Sequence, residues 1–133
     1  MKLTSKSEYA LLALIYLSRM EPGDNISVAT ISKAQGIPPK FLEQILLVLK
    51  RSGYLRSHKG SNGGHSLAKS PESITIAEVI RLFDGALAPT ESVSKYFYEP
   101  TPISKEKKAT KLFRQIRDYV SEKLERATLA DIS

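Results

Sequence analysis

The chain has no cysteine among its 133 residues. This excludes disulfides and thiolate metal sites, and it leaves the redox compartment undetermined. The only histidines, His58 and His65, are too few to make a good metal site. The longest apolar run, Ala10–Leu17, is too short to span a bilayer, and the N-terminus lacks a signal-peptide pattern. We therefore expect a cytoplasmic protein built as one compact domain, with room for an extra element for association.

Acidic side chains are scarce in the first half of the chain. Residues 1–70 contain ten Lys or Arg against four Asp or Glu, whereas residues 71–133 contain ten of each. The net charge of +6 therefore lies entirely in the first half. A surface of this kind favours a polyanionic partner, and a solvated basic surface is the alternative. No nucleophile–base constellation, metal quartet or carboxylate pair has usable spacing, so we do not expect an enzyme.

The stretch Ser27–Gly64 has the spacing of a helix-turn-helix followed by a hairpin. Gly36 lies at the predicted turn, and Pro38 and Pro39 suit the first turn of the second helix, where a missing N–H costs little. Gly53 suits the end of that helix. Four apolar residues stand where the two crossed helices would touch: Ile31, Ile37, Leu42 and Ile45. We predict one helix from a Ser27 cap through Gln35 and another over 38–52.

The second helix of this motif leaves polar side chains on one face. The first two turns of a helix in the major groove reach base edges. Lys40 suits guanine or a phosphate, Gln44 pairs with adenine, and Glu43 accepts from cytosine N4. An inert, solvent-exposed side chain is the alternative for each of the three.

A Gly-rich tip follows, between strand-like runs at 54–57 and 65–68. This pattern predicts a hairpin wing beside the second helix of the motif. Lys59 at its apex suits the negative potential of a narrow minor groove. The tip lacks the GxxxxGK[ST] pattern of a nucleotide-binding loop. The candidate wing contacts are His58, Lys59, Gly60, Ser61 and Asn62.

A first helix is predicted from a cap at Thr4 or Ser5 to a point before the turn at 22–25. Its terminal N–H groups, flanked by two lysines, could hold a DNA phosphate, and ordinary capping is the alternative. The candidate phosphate contacts are Lys2, Thr4, Ser5 and Lys6.

The second half begins with a predicted helix over 73–83, with Thr75 as its cap and Asp84–Gly85 at its end. Residues 85–104 are irregular, and a long helix runs from 105 to about 126. At roughly 22 residues it would be about 33 Å long, more than so small a domain can cover, so we expect a second copy to cover it. Folding back on its own domain is the alternative. Its apolar stripe contains Ala109, Leu112, Phe113, Ile116, Tyr119, Val120 and Leu124.

Together these segments resemble the IscR/NsrR/CymR family of bacterial winged-helix transcription regulators. The motifs that carry the resemblance are LTSKSEYALLAL, ISKAQGIPPKFLEQIL, LRSHKGSNGGHSLAKSPESITIAEVI and TLADI. The resemblance implies a homodimer on an inverted-repeat operator, joined through the long helix. It places the third helix in the major groove and the wing in the minor groove. The implied helix contacts are Pro39, Lys40, Phe41, Glu43 and Gln44, and the wing contact is Lys59, where many relatives have arginine.

The chain departs from this family between Gly85 and Lys105. Sensor members bind an iron–sulfur cluster there through three cysteines, whereas this chain has Ser92 and Ser94, so a cysteine-ligated cluster is impossible. The resemblance is therefore to the cluster-free branch, whose members respond to a metabolite or to a partner enzyme. Neither effector is visible in these residues.

Taken together, we predict a mainly α fold with a small β-hairpin wing and a long C-terminal dimerisation helix. The predicted segments are a winged helix-turn-helix domain at 1–84, a degenerate sensor loop at 85–104, and a dimerisation helix with a final turn at 105–133. The predicted function is a DNA-binding regulator, as a repressor, without a cofactor. The alternative is a protein-interaction module that uses the aromatic residues 96–98 and the long helix.

Overall fold

The structure, a computed structural model, describes all 133 residues and is mainly helical, with one antiparallel hairpin. None of its helices combines the length and the apolar character needed to cross a membrane. Short 3₁₀ turns cover 71–73, 91–93 and 102–105. The predicted fold class is confirmed. The regular elements are α1 (Ser5–Ser18), α2 (Val28–Gln35), α3 (Pro39–Arg51), β1 (Leu55–His58), β2 (Gly64–Leu67), α4 (Ile76–Asp84), α5 (Lys107–Arg126) and α6 (Leu129–Ile132).

Side-chain oxygens cap several helices where the sequence predicts caps. Ser27 Oγ accepts the Thr30 N–H at 3.1 Å and so begins α2. Thr75 begins α4 with a full capping box, in which Glu78 also bonds back to the Thr75 N–H. These bonds satisfy N–H groups that the helix itself leaves unpaired. By contrast α3 has no side-chain cap and begins with Pro39, one residue later than predicted.

The turn between α2 and α3 is held by a glycine and a serine. Gly36 has φ of 65°, a left-handed conformation that costs a glycine little. The Ile37 N–H donates to the Ser32 carbonyl at 3.1 Å, and the Ser32 hydroxyl donates to the Ile37 carbonyl. These two bonds fix the angle at which α3 leaves α2.

The main core lies among α1, α2 and α3 and the start of the hairpin. The four residues predicted to join the crossed helices, Ile31, Ile37, Leu42 and Ile45, are all buried. A polar bond adds to this packing, because the Gln35 side-chain amide donates to the Leu12 carbonyl at 2.8 Å. The orientation of α3 is thus set by burial of its apolar side against two other helices.

The wing is attached to the chain segment before α2. Its strands pair from Leu55↔Leu67 to His58↔Gly64, about one residue away from the predicted runs. The Ile26 and His65 backbones exchange hydrogen bonds of 2.9 and 2.8 Å. A Cβ at position 64 would lie 2.6 Å from the Ile26 carbonyl, so this close approach requires Gly64. The wing base and the start of α2 therefore form one unit.

The C-terminal residues return to the core. The Ile76 N–H donates to the Ala127 carbonyl at 2.9 Å, and the Leu129 N–H donates to the Ile74 carbonyl at 2.8 Å. These bonds place Leu129, fully buried, in the main core. The residues predicted only as a final turn therefore also pack on the winged-helix domain and anchor the end of α5.

Because Leu129 is fully buried, we expect Leu129→Ala to lower the free energy of unfolding by about 2–5 kcal/mol, through lost burial and a residual cavity. Ile132→Ala is the matched control in the same short helix, where the side chain is 42% exposed; we expect a change of about 0.5 kcal/mol or less. Urea unfolding of both variants measures this. Equal losses would contradict the assigned role of α6.

Candidate nucleic-acid interface

The exposed side of α3 collects the residues predicted to contact bases. The apolar side of the helix is buried through Leu42, Ile45, Leu46 and Leu49. This burial turns the other side outward, and the five predicted residues there are all exposed: Pro39, Lys40, Phe41, Glu43 and Gln44. The structure thus brings them together on one surface, and their base contacts remain a prediction.

The start of α1 lies beside this surface. Lys6, a predicted phosphate contact, lines a groove of about 250 Å³ together with Phe41 and Gln44 of α3. Lys2, Ser5 and Lys6 are all exposed. A cationic side chain therefore borders the side chains expected to reach the major groove.

Thr4 is engaged within the chain. Its N–H donates to Asp84 Oδ2 at 3.2 Å, and its hydroxyl donates to Asp84 Oδ1. The carboxylate thus occupies the helix N-terminus, where an anion is stabilised by the helix dipole. The predicted phosphate contact of Thr4 would require Asp84 to move aside. The sequence prediction of a simple Thr4 cap did not anticipate this partner from α4.

The wing tip presents the predicted minor-groove contacts. Residues 58–62 are all exposed, and the Gly63 N–H closes the turn on the Gly60 carbonyl at 3.0 Å. The two ion pairs of the structure, Arg81–Glu125 and Arg117–Asp118, do not involve Lys59. The Lys59 ammonium is therefore available to an external anion.

Below the tip, His65 connects the wing to α3. Its Nδ1 lies 3.0 Å from Ser57 Oγ on the paired strand. Partial burial, and next the positive charge of Lys50 in the last turn of α3, hold the pKa of His65 below its ordinary value of 6.5. The imidazole is thus neutral at neutral pH, and the positive charge at this position comes from Lys50.

A buried tyrosine fixes the end of α3 to α4. The Tyr54 hydroxyl donates to Glu78 at 2.6 Å, and the Lys69 ammonium lies 4.8 Å from the centre of its ring. Burial, aided by the bond to Glu78, raises the pKa of Tyr54 well above its usual range. Burial opposes ionisation of Glu78, but hydrogen bonds from Tyr54 and Thr75 outweigh it and lower the pKa of that carboxyl. Sequence reasoning found the Thr75 cap but missed Tyr54.

The long helix α5 has two different faces. The face toward its own chain is mixed: Thr110 and Ser121 are buried, Arg117 Nη1 donates to the Val93 carbonyl at 2.9 Å, and Leu124 packs against the apolar cluster formed by α4 and Leu87. The apolar stripe faces largely outward. Three of its predicted members, Leu112, Ile116 and Tyr119, are 52%, 41% and 76% exposed, and Phe113, Val120 and Leu124 are half-buried. The helix therefore does pack on its own domain, but this packing leaves much of the stripe uncovered.

The segment 85–104 is ordered by hydroxyl groups. Thr101 Oγ1 donates to Ser92 Oγ at 2.8 Å, and Ser94 Oγ accepts the Phe97 N–H at 3.0 Å. Arg81 of α4 lies over the Tyr96 ring at 4.8 Å and bonds to Glu125 of α5 at 2.8 Å. The segment predicted as irregular thus contains two 3₁₀ turns and contacts both neighbouring helices.

The comparisons with known proteins agree with this geometry. The family model described as "Rrf2: Iron-dependent Transcriptional regulator" matches residues 3–133. The chain belongs to the Rrf2 family of transcriptional regulators. It is 37% identical, over its whole length and 81% of the relative, to a Mycobacterium tuberculosis protein provisionally named an HTH-type transcriptional regulator.

Two solved structures resemble this chain over nearly its whole length. The structure of CymR, the global cysteine regulator of Bacillus subtilis, has a TM-score of 0.84 at 28% identity and covers 99% of this chain and 95% of its own. IscR of T. potens has a TM-score of 0.75 at 25% identity, covering 99% and 85%. The resemblance found in the sequence is thus confirmed, and the relatives are regulators rather than enzymes.

The Rrf2 description names iron, and the residues of this chain can be tested against it. Iron–sulfur clusters are held by cysteine thiolates, and this chain has none. Ser92 and Ser94 offer neutral hydroxyls that are already hydrogen-bonded within the segment. No three His, Asp or Glu side chains are grouped to hold a metal ion. The residues present therefore do not fit an iron or iron–sulfur centre.

The lowered pKa of His65 predicts a pH-dependent stability. The unfolded chain takes up a proton near the ordinary pKa of 6.5, whereas the folded chain does so only at lower pH. The contribution of neutral His65 to the free energy of unfolding is therefore fully present above about pH 6.5. It is lost as the pH falls toward the pKa of His65 in the folded chain. We expect His65→Gln to reduce the difference between urea midpoints at about pH 7.5 and pH 5.5.

His58→Gln is the matched control, because it removes the exposed imidazole of the same hairpin. An unchanged pH dependence in His65→Gln, or an equal change in both variants, would contradict this assignment. A side-chain NMR titration of the two rings in the folded protein gives an independent measurement.

Proposed function

We propose that this Rrf2-family protein is a homodimeric repressor that binds an inverted-repeat DNA operator without an iron–sulfur cluster. The observation that carries the proposal is the exposed side of α3, which bears all five predicted base contacts and has Lys6 beside Phe41 and Gln44. The net charge of +6, confined to residues 1–70, adds long-range attraction to DNA. The protein would act in the bacterial cytoplasm, where its operator is found.

In this proposal α3 enters the major groove. Lys40 binds guanine or a phosphate, Gln44 pairs with adenine, and Glu43 accepts from the cytosine amino group. Glu43 is repelled by phosphates, so its contribution is specificity for a base that offers a donor. The Asp84 carboxylate at Thr4 leaves Lys2, Ser5 and Lys6 as the phosphate contacts that need no rearrangement.

The wing supplies a second contact, with Lys59 in the minor groove. A lysine is more strongly hydrated than an arginine and lacks its planar fork, so it responds to groove potential more than to groove shape. The Ile26–His65 pairing supports this role, because it holds the wing next to α2 and α3 while Lys59 stays exposed.

A second copy would cover the apolar stripe of α5. Beside Ile116 and Tyr119 lies a groove of about 540 Å³ that also contains Met1, Ala88 and Pro89. So much exposed apolar surface on one helix favours a partner, and symmetric pairing covers the same patch on both copies. Two recognition helices would then contact half-sites about one helical turn, roughly 34 Å, apart.

The effector would be a metabolite or a partner enzyme rather than a cofactor. The hydroxyl-lined segment 85–104 supports this, because it contacts α4 through Tyr96 and Arg81 and α5 through Val93 and Arg117. The name of its structural neighbour, the global cysteine regulator CymR, makes sulfur metabolites reasonable first candidates.

The first test is binding to DNA. We expect the purified protein to select fragments from its own genome and to lose affinity steeply as salt rises, because bound phosphates release counterions. Lys59→Ala should weaken binding and reduce the salt slope by about one unit. Lys105→Ala is the control, an exposed lysine in the neutral half of the chain.

Fluorescence anisotropy on a selected fragment at several salt concentrations measures both effects. Failure to retain any double-stranded fragment at low salt would overturn the proposal. It would also leave the protein-interaction module as the better description, if a protein were captured instead.

The second test is the oligomeric state. We expect Ile116→Glu to weaken the dimer by about tenfold, because it buries a carboxylate without a partner. Lys111→Glu is the control, since position 111 is exposed and lies off the apolar stripe. Sedimentation at a series of concentrations measures the dimer, and DNA binding should weaken in parallel. A wild-type chain that is monomeric at micromolar concentration would contradict the homodimer.

A further inference from the structure

Phe41 is the most exposed large apolar side chain of α3. It is 55% exposed, compared with 44% for Leu47 and 36% for Val48. It lies in the first turns of the helix, beside Lys40. An aromatic side chain this exposed, at the start of the predicted recognition helix, suggests that an external group covers it.

Phe41 forms part of a defined groove rather than an isolated exposed ring. Residues 41, 44, 45 and 48 recur at helical spacing and so follow one edge of α3. The groove they form measures about 250 Å³ and is closed by α1 and by the end of α4. Its lining residues are Lys6, Phe41, Gln44, Ile45, Val48, Leu82 and Phe83.

The chemistry of the groove favours DNA over a protein segment as its occupant. Its rim carries Lys6, a cation suited to phosphate, and Gln44, whose amide can pair with adenine. Its floor is apolar but small. The thymine C5-methyl is the apolar group that the major groove offers to a side chain. The groove is also continuous with the surface on which the other predicted base contacts lie.

We propose that Phe41 recognises a thymine methyl group, next to the base pair contacted by Gln44; this rests on the proposed DNA-binding function. The spacing agrees. Phe41 and Gln44 are separated by about 4.5 Å along the helix axis, close to the step of about 3.4 Å between successive bases. The two residues together would specify an A·T-containing step in each half-site.

The test replaces single thymines of a selected operator by uracil, which removes only the methyl group. With wild-type protein we expect one thymine per half-site at which uracil weakens binding about three- to fivefold, the effect of burying one methyl group. Phe41→Ala should weaken binding to the thymine operator and lose the sensitivity at that thymine. Its folding is checked by urea unfolding, and the exposure of Phe41 predicts little change.

Leu47→Ala is the matched control. Leu47 is 44% exposed and does not line the groove, and it is in the third turn of α3, beyond the reach of base edges. This variant should keep the sensitivity to uracil. If the effects of Phe41→Ala and of the uracil substitution are coupled, and those of Leu47→Ala and uracil are not, the coupling identifies Phe41 and the thymine methyl as partners.

The failures of this proposal and of the proposed function are distinguishable. If wild-type protein binds its operator with a steep salt dependence but no uracil weakens binding, or if Phe41→Ala keeps the full sensitivity, the methyl contact is wrong and DNA binding stands. If Phe41→Ala binds DNA normally but loses dimerisation, the groove is a protein contact. If wild-type protein binds no DNA, both proposals fall.

Discussion

The burial of the apolar side of α3 is the constraint on which the rest of the interface depends. Leu42, Ile45, Leu46 and Leu49 are removed from water against α1 and α2, and each fully buried aliphatic side chain contributes roughly 1.5–3 kcal/mol. Because a helix is rigid, fixing one side also fixes the other. The polar side of α3 is thereby presented outward without any contact of its own. Burial of apolar side chains is not directional, whereas the hydrogen bonds of Ser32 and Gln35 are, and these bonds help to fix the orientation of α3.

A similar separation of roles recurs on α5. Thr110, Ser121 and Leu124 face the chain's own domain, while Leu112, Ile116 and Tyr119 are exposed. Packing on the domain is held by Leu124, by hydrogen bonds such as that of Arg117 to the Val93 carbonyl, and by the anchor at Leu129. The exposed apolar side therefore remains available because the helix is already secured at its inward face and at its C-terminal end.

Local features could be predicted from the sequence because their causes are local. The caps at Ser27 and Thr75, the turn at Gly36 and the apolar spacing of α2 and α3 depend on neighbours a few residues away, and all appear in the structure. The hairpin was predicted for similar reasons, although its strands are displaced by about one residue. The start of α5 was predicted two residues early, since 102–105 form a 3₁₀ turn instead.

The contacts that could not be predicted join residues far apart in the chain. Thr4 bonds to Asp84, Tyr54 bonds to Glu78, and Leu129 enters a core formed by the first half. Taken alone, Thr4 is an ordinary cap, Tyr54 an aromatic residue after a helix, and Leu129 a leucine near the C-terminus. No periodicity in the sequence links any of them to its partner. For the candidate site, the sequence identified which side chains of α3 would be exposed. It could not identify the groove at Phe41, because one wall comes from Leu82 and Phe83 of α4.

The pairing of Ile26 with His65 has a consequence for the geometry of recognition. It ties the hairpin to the entrance of α2, so the wing keeps a fixed position relative to the helix-turn-helix. In the proposed complex, the major-groove and minor-groove elements of each subunit would then move only as one body, and the distance they span within a half-site would be constant. Any tolerance for insertions between the halves of the proposed operator would come from the junction of the two subunits, and none from within a subunit.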